Sequence, residues 1–160
     1  MTKLLAQRTD GSCHWFTPRH IIQSLGRFDL DVCAPENPKY QAATRFYTEM
    51  GLLREWFGRV WCNPPYGREC AHWIKKLSEH GNGIALIFAR TDTAMFQDVI
   101  FPTASALCLI RGRVSFIMPN GETKSPAPAP SVLVAFGGQN AAALRQCGLG
   151  YTIDLKRVSP

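Results

Sequence analysis

The chain lacks an apolar run of the roughly 18 residues that a membrane-spanning helix needs. Its longest apolar stretches, Gly83–Ala89 and Thr103–Ile110, have the length of buried strands. The N-terminus, MTKLLAQRTDGSC, has no long apolar core of the secretory type, so a cytoplasmic protein without membrane contact is expected. No Cys-x-x-Cys occurs among the six cysteines, at 13, 33, 62, 70, 108 and 147. Cys13-His14 and Cys70-Ala71-His72 lack zinc-finger spacing, so reduced, mostly buried thiols are expected and no metal site. Internal repeats are absent, and the one biased stretch, Ser125-Pro126-Ala127-Pro128-Ala129-Pro130, is too short to link domains. Acidic residues are the scarcer charge: 12 against 18 Lys and Arg, for a net charge of +6 and a pI near 9.2. Such a balance favours a polyanionic partner.

What is present suits one globular domain. The 160 residues, 46% hydrophobic and 19% charged, are read as a single domain with a core at about 14–138 and a C-terminal extension over 139–160. Acids gather in one section, where Asp29, Asp31, Glu36, Glu49 and Glu55 outnumber Lys39, Arg45 and Arg54. An acidic section within a basic protein fits a cationic small molecule at one place and a phosphate backbone across others.

Thr17 as N-cap and Pro18 at the first helical position predict a helix over 18–25, with Ile21, Ile22 and Leu25 on its apolar face and Gly26 at its end. Strands are predicted at 28–33, 58–62, 83–89 and 104–110. Residues 36–57 read ambiguously, with a short helix near 39–46 as one option. A helix over 68–80 follows from Cys70, Trp73, Ile74 and Leu77 at helical spacing, with Lys75-Lys76 in solvent. Thr91 or Asp92 is expected to cap a helix that turns Met95, Phe96, Val99 and Ile100 inward and stops at Pro102. A hairpin is predicted from Arg113–Met118 and Val132–Phe136 about a turn at Pro119-Asn120-Gly121, then a helix near 140–147 and a strand at 151–155. Strand–helix alternation through the middle predicts an α/β sheet, mostly parallel, with an antiparallel hairpin near its C-terminal end.

In open α/β sheets, ligands bind beyond the carboxyl ends of strands. Two turns fall there: Asp31-Val32-Cys33-Ala34 and Asn63-Pro64-Pro65-Tyr66. The second has the makings of a catalyst for an exocyclic amine. The lone pair of adenine N6 is delocalised into the ring, and acceptors for both of its hydrogens favour a more tetrahedral nitrogen. The Asn63 side-chain carbonyl and the Pro64 backbone carbonyl supply two acceptors. Consecutive prolines fix φ and leave no competing N–H, and the Tyr66 ring can stack on a base turned out of a duplex. The plainer alternative is a Pro-Pro turn closing a strand, with Tyr66 as packing. The position between an apolar strand and an amphipathic helix favours catalysis.

The pieces WFTPRHIIQSLG, FDLDVCAPENP, FYTEMGLLREW, GRVWCNPPYG, ALIFARTDTAMF, RGRVSFIMPNGE and APSVLVAF, in this order over residues 14 to 136, resemble the phage-type DNA N-6-adenine methyltransferase family, relatives of the Dam enzymes. The resemblance implies a compact Rossmann-like class I methyltransferase sheet, S-adenosylmethionine as cofactor and DNA as partner. It implies Asn63, Pro64, Pro65 and Tyr66 as catalytic residues. Cofactor contacts carry over onto Trp15, Phe16, Thr17 and Pro18, onto Asp31, Cys33 and Ala34, and onto Asn63. Chemistry agrees: an acid at a strand end can accept from the cofactor's α-amino group, and aromatics can pack on its adenine or near its sulfonium. Asp31 is the expected acid, with Asp29 on the same strand face as backup. Trp15-Phe16 could equally staple the first helix, and Phe46 and Tyr47 either line the pocket or pack as core aromatics. Tyr66, Arg90, Arg111, Arg113 and Phe116 are the candidate DNA contacts, the alternatives being a helix-cap turn at Arg90–Thr93 and a solvated hairpin face at Arg111–Phe116. Asp-Val-Cys-Ala-Pro stands where many methyltransferases carry a glycine-rich turn, and Val32 stands where relatives are expected to have proline.

Rival acceptors are cytosine N4, RNA adenine and a protein glutamine amide, and a further alternative is a catalytically silent cofactor- and DNA-binding module. Methylation of cytosine C5 is disfavoured because it uses a cysteine after proline, and no Pro-Cys occurs. The sequence leaves the oligomeric state open.

Overall fold

The computed structural model describes residues 15–36, 40–118, 120–123 and 126–155. Seven strands form one sheet: β1 (Phe28–Asp31), β2 (Ala43–Phe46), β3 (Val60–Cys62), β4 (Gly83–Phe88), β5 (Ala106–Ile110), β6 (Ser131–Phe136) and β7 (Gly150–Asp154). Their order is β2-β1-β3-β4-β6-β5-β7. The pairs β1–β2, β1–β3 and β3–β4 are parallel, whereas β4–β6, β5–β6 and β5–β7 are antiparallel and have the longer ladders. The fold is therefore mixed α/β, and the mostly parallel sheet read from the sequence is corrected.

The helices are α1 (Arg19–Ser24), α2 (Cys70–His80), α3 (Phe101–Thr103) and α4 (Gly138–Gln146), with a π-helical segment, Met95–Ile100, leading into α3. In a regular helix the Pro102 ring would meet the carbonyl of Asp98, and the chain winds wider just before it. Pro102 thus sits inside a helical turn instead of ending one. Neither Thr91 nor Asp92 caps this segment; its N-cap is Ala94. No helix among the described residues is long and apolar enough to cross a membrane.

Strand alternation sends neighbouring side chains to opposite faces. Leu30, Val60, Cys62, Ala85 and Ile87 pack with Trp73, Ile74 and Leu77 of α2 and with Phe96 and Ile100. Phe28, Trp61, Ile84 and Leu86 pack on the other face with Ile21, Ile22 and Leu25 near α1, and with Ala141 and Leu144 of α4. The sheet is thus buried on both sides, which explains why β4 reads as continuous apolar sequence.

Three further expectations change. Residues 43–46 form edge strand β2, where a short helix near 39–46 was an option; residues 37–39 lie outside the described set. The predicted hairpin does not form, because β6 pairs with β5 and β4 and the segment around 113–118 crosses a sheet face. Val114 and Phe116 there are 4% and 2% exposed and join the α1–α4 core, a burial that a two-stranded ribbon could not give them. Pro119 of its expected turn lies outside the described residues. Finally, Lys75 is exposed, but Lys76 turns inward and donates to the carbonyls of Leu52 and Arg54 at 2.8 and 2.6 Å. The chain it pins also approaches β1 closely, since a Cβ on Gly51 would come within 2.0 Å of the Val32 carbonyl oxygen.

Arg59, 7% exposed, ties the elements around β3 together. Its Nε donates to Asn140 Oδ1 at 2.6 Å, and its Nη1 and Nη2 donate to the carbonyls of Arg27 and Leu25 at 2.9 and 2.8 Å. The guanidinium also lies 4.3 Å from the centroid of the Phe28 ring. Arg59→Met would orphan two buried acceptors and one part-buried one, and is expected to lower unfolding stability in urea by about 3 kcal/mol, against under about 0.5 for exposed Lys75→Ala.

Candidate functional site

Strands β1 and β3 lie side by side, and the chain leaves them in opposite directions across the sheet: β1 is followed by β2 on one flank, β3 by β4 on the other. Such a reversal opens a crevice at the carboxyl ends, where open α/β sheets place their ligands. Asp31 is the last residue of β1, and Asn63 directly follows β3. Both line one cleft, together with Trp15, Phe16, Thr17, Cys33, Ala34, Phe46, Pro64 and Pro65.

The Asp31 carboxylate is 6% exposed and accepts from the Cys33 backbone N–H at 3.1 Å. Asp29, its sequence-level backup, is engaged elsewhere, accepting from the Arg59 backbone N–H at 2.7 Å. Pro18 does not line the cleft; it is buried at the start of α1 and fixes the turn into the helix. Thr17 departs from its expected role. The N-cap of α1 is Pro18 and no side chain caps the helix, while the Thr17 hydroxyl accepts from Asn63 Nδ2 at 3.1 Å. On its other side Asn63 presents Oδ1, and the Tyr66 hydroxyl donates to it at 3.5 Å, the long limit of a hydrogen bond. Burial pushes the Tyr66 hydroxyl far above the ordinary range, so it stays protonated and able to donate.

Tyr66 stands within a group of rings. It stacks on Phe88 with centroids 4.1 Å apart and planes 10° apart, and meets Phe116 edge-on at 5.9 Å. Phe116 in turn packs on Trp15 at 6.1 Å. Phe116 is thus part of the site's inner wall and is 2% exposed, unlike the open stacking surface expected of it. Two reciprocal backbone hydrogen bonds, Phe16 N–H to the Ile117 carbonyl at 2.8 Å and Ile117 N–H to that of Phe16 at 3.0 Å, hold this wall against the segment before α1. The three candidate arginines, Arg90, Arg111 and Arg113, are exposed. Arg90 leans over the Phe88 ring at 5.8 Å, and Arg113 donates to the Ala127 carbonyl at 3.2 Å.

Sequence reasoning missed Phe88 and Tyr40. Tyr40 lines the cleft, meets the Phe16 ring at a tilt with centroids 6.2 Å apart and carries the Arg19 guanidinium 5.2 Å from its ring centroid. Its hydroxyl is buried without a hydrogen-bond partner among the described residues. The tyrosine sits in sequence that reads as irregular, so no periodicity marked it. Three buried thiols, Cys33, Cys62 and Cys70, lie beside the site; burial pushes Cys70 up to about 12 and Cys62 well above its ordinary value. Cys62 and Cys70 are therefore protonated and inert. No group of three or more His, Cys, Asp or Glu side chains that could hold a metal occurs among the described residues.

The mixed sheet thus carries an acid at one strand end, an Asn-Pro-Pro-Tyr turn at its neighbour and an aromatic-walled cleft between them. The chain belongs to the DNA N-6-adenine-methyltransferase (Dam) family, which it matches over residues 4–142. No curated protein and no solved structure shows significant similarity to it.

Burial raises the Tyr40 hydroxyl to about 12 from 10.0, while the Arg19 charge opposes the shift. The folded state therefore favours the neutral phenol, and the resulting stability is complete below pH 10 and is lost as pH rises towards about 12. Over that window the wild type is expected to lose urea stability faster than Tyr40→Phe; parallel curves would contradict the shift.

Proposed function

We infer that the protein transfers the methyl group of S-adenosylmethionine to N6 of an adenine turned out of duplex DNA. The reading is carried by one observation: Asn63, with its amide held between Thr17 and Tyr66, lines the same switch-point cleft as the buried Asp31. Family membership and the net charge of +6 support DNA as the substrate. The switch-point placement also favours reading the sheet as a compact Rossmann-like methyltransferase sheet. DNA as substrate puts the activity in the cytoplasm.

The cleft fits this cofactor in its donor set. The Asp31 carboxylate would accept from the α-ammonium, Trp15, Phe16 and Phe46 would pack against the adenine and sulfonium, and the orphaned Tyr40 hydroxyl would find a polar partner. When bound, S-adenosylmethionine supplies a methyl group made electrophilic by its sulfonium. The work of the chain is on the acceptor. Asn63 Oδ1 and the Pro64 carbonyl would each accept one N6 hydrogen, localising the nitrogen lone pair and aiming it into the cleft. The long Tyr66–Asn63 contact is readily replaced by the incoming amine. The base would stack on the face of Tyr66 opposite Phe88, with Phe116 setting the ring's tilt. Arg90, Arg111 and Arg113 would grip the phosphates around it.

Transfer of a labelled methyl group from S-adenosylmethionine to duplex DNA is expected for the wild type. Asn63→Ala should lower the rate by at least about 100-fold even at saturating cofactor. Full activity in Asn63→Ala would overturn the assignment, as would transfer by the wild type to RNA or protein but not to DNA.

A further inference from the structure

We propose that Thr17 is a positioning residue: its hydroxyl sets the rotation of the Asn63 amide so that Oδ1, and not Nδ2, meets the target amine. The proposal rests on the methyl-transfer reading above and adds the element that gives the Asn63 side chain its polarity. An asparagine amide is nearly symmetric in shape, and turning it over would present a donor to a substrate that is itself a donor. Nothing within the Asn-Pro-Pro-Tyr turn prevents this, since the prolines fix the backbone and not the side-chain torsion.

The neighbours hold the amide in one sense. Nδ2 donates to Thr17 Oγ1 at 3.1 Å across 46 residues of sequence. On the opposite side the Tyr66 hydroxyl is kept protonated by burial and donates to Oδ1. Once the target amine takes the place of Tyr66 at Oδ1, Thr17 is the remaining side chain holding the amide. Thr17 suits the task. It is 6% exposed, and its hydroxyl takes no part in capping α1, the helix it precedes. Its backbone is held on one side by the Phe16–Ile117 bridge and on the other by Pro18, and its β-branched, buried side chain has few χ1 positions open to it before substrate arrives.

The test compares Thr17→Val, Thr17→Ala and Thr17→Ser in full-length protein. If Thr17 orients Asn63, Val and Ala lower kcat on duplex DNA, measured at saturating S-adenosylmethionine, by about tenfold, the worth of one well-placed hydrogen bond, over and above any change in cofactor Kd that follows from altering a cleft-lining side chain. Serine, which keeps the hydroxyl, restores kcat. A second readout needs no turnover: the side-chain amide NMR signal of Asn63, assigned by its loss in Asn63→Ala, shifts in Thr17→Val and returns in Thr17→Ser. Unchanged kcat in an active Thr17→Val enzyme with an unmoved amide signal overturns the proposal. So does a loss confined to cofactor affinity, which would make Thr17 a cofactor ligand only. Absence of methylation by the wild type would instead overturn the functional reading, with the amide signal still reporting on Thr17.

Discussion

The parallel pairing of β1 with β3 is the constraint on which the site depends. Register sets Leu30 against Val60 and Asp31 against Trp61, so the acid that ends β1 and the asparagine that follows β3 emerge side by side. Neither residue has chemistry to offer alone: a carboxylate at the cleft needs a cationic ligand to act on, and an amide without a fixed rotation is as ready to donate as to accept. The pairing itself is short, and Arg59 reinforces it by joining the residue before β3 to the end of α1 and to α4. A structural arginine thus sits one strand's length below the proposed chemistry.

Around that pair the protein builds a wall of rings from four separate stretches of chain. Trp15 and Phe16 come from before α1, Tyr66 and Phe88 from the ends of β3 and β4, and Phe116 from the β5–β6 connection. The Phe16–Ile117 bridge joins the proposed cofactor side of this wall to the proposed base side. Motion of one therefore bears on the other, because two backbone hydrogen bonds and a ring contact link them. On the opposite sheet face, Gly51 and Lys76 clamp the turn after β2 against β1 and α2, which steadies the carboxyl end of β1 from beneath.

Features set by short-range chemistry were legible in the sequence. Apolar spacing marked α2 and the run of β4, and the Asn-Pro-Pro-Tyr turn announced two acceptors and a ring. Asp31 could be preferred over Asp29 from its place at the strand end, and the structure puts only Asp31 in the cleft. What was not legible depended on partners far along the chain. Residues 43–46 become a strand because β1 offers an edge, not because their own pattern demands it. β6 abandons the nearby segment around 113–118 for a slot between β4 and β5, where both of its faces are buried. Thr17 carries every local sign of a helix cap, yet its hydroxyl goes to an asparagine 46 residues away. Lys76 reads as surface charge and Arg59 as one residue of a strand, whereas each satisfies backbone carbonyls whose lack of partners no sequence pattern reveals.

Identifying the methylated nucleoside tests the central claim most directly. Duplex DNA incubated with the wild-type protein and S-adenosylmethionine, then digested and resolved by mass spectrometry, should yield N6-methyladenine, because Asn63 Oδ1 and the Pro64 carbonyl match the two hydrogens of an exocyclic amine and the family points to adenine. N4-methylcytosine in its place, or no modified nucleoside from an enzyme that binds the cofactor, would contradict the account.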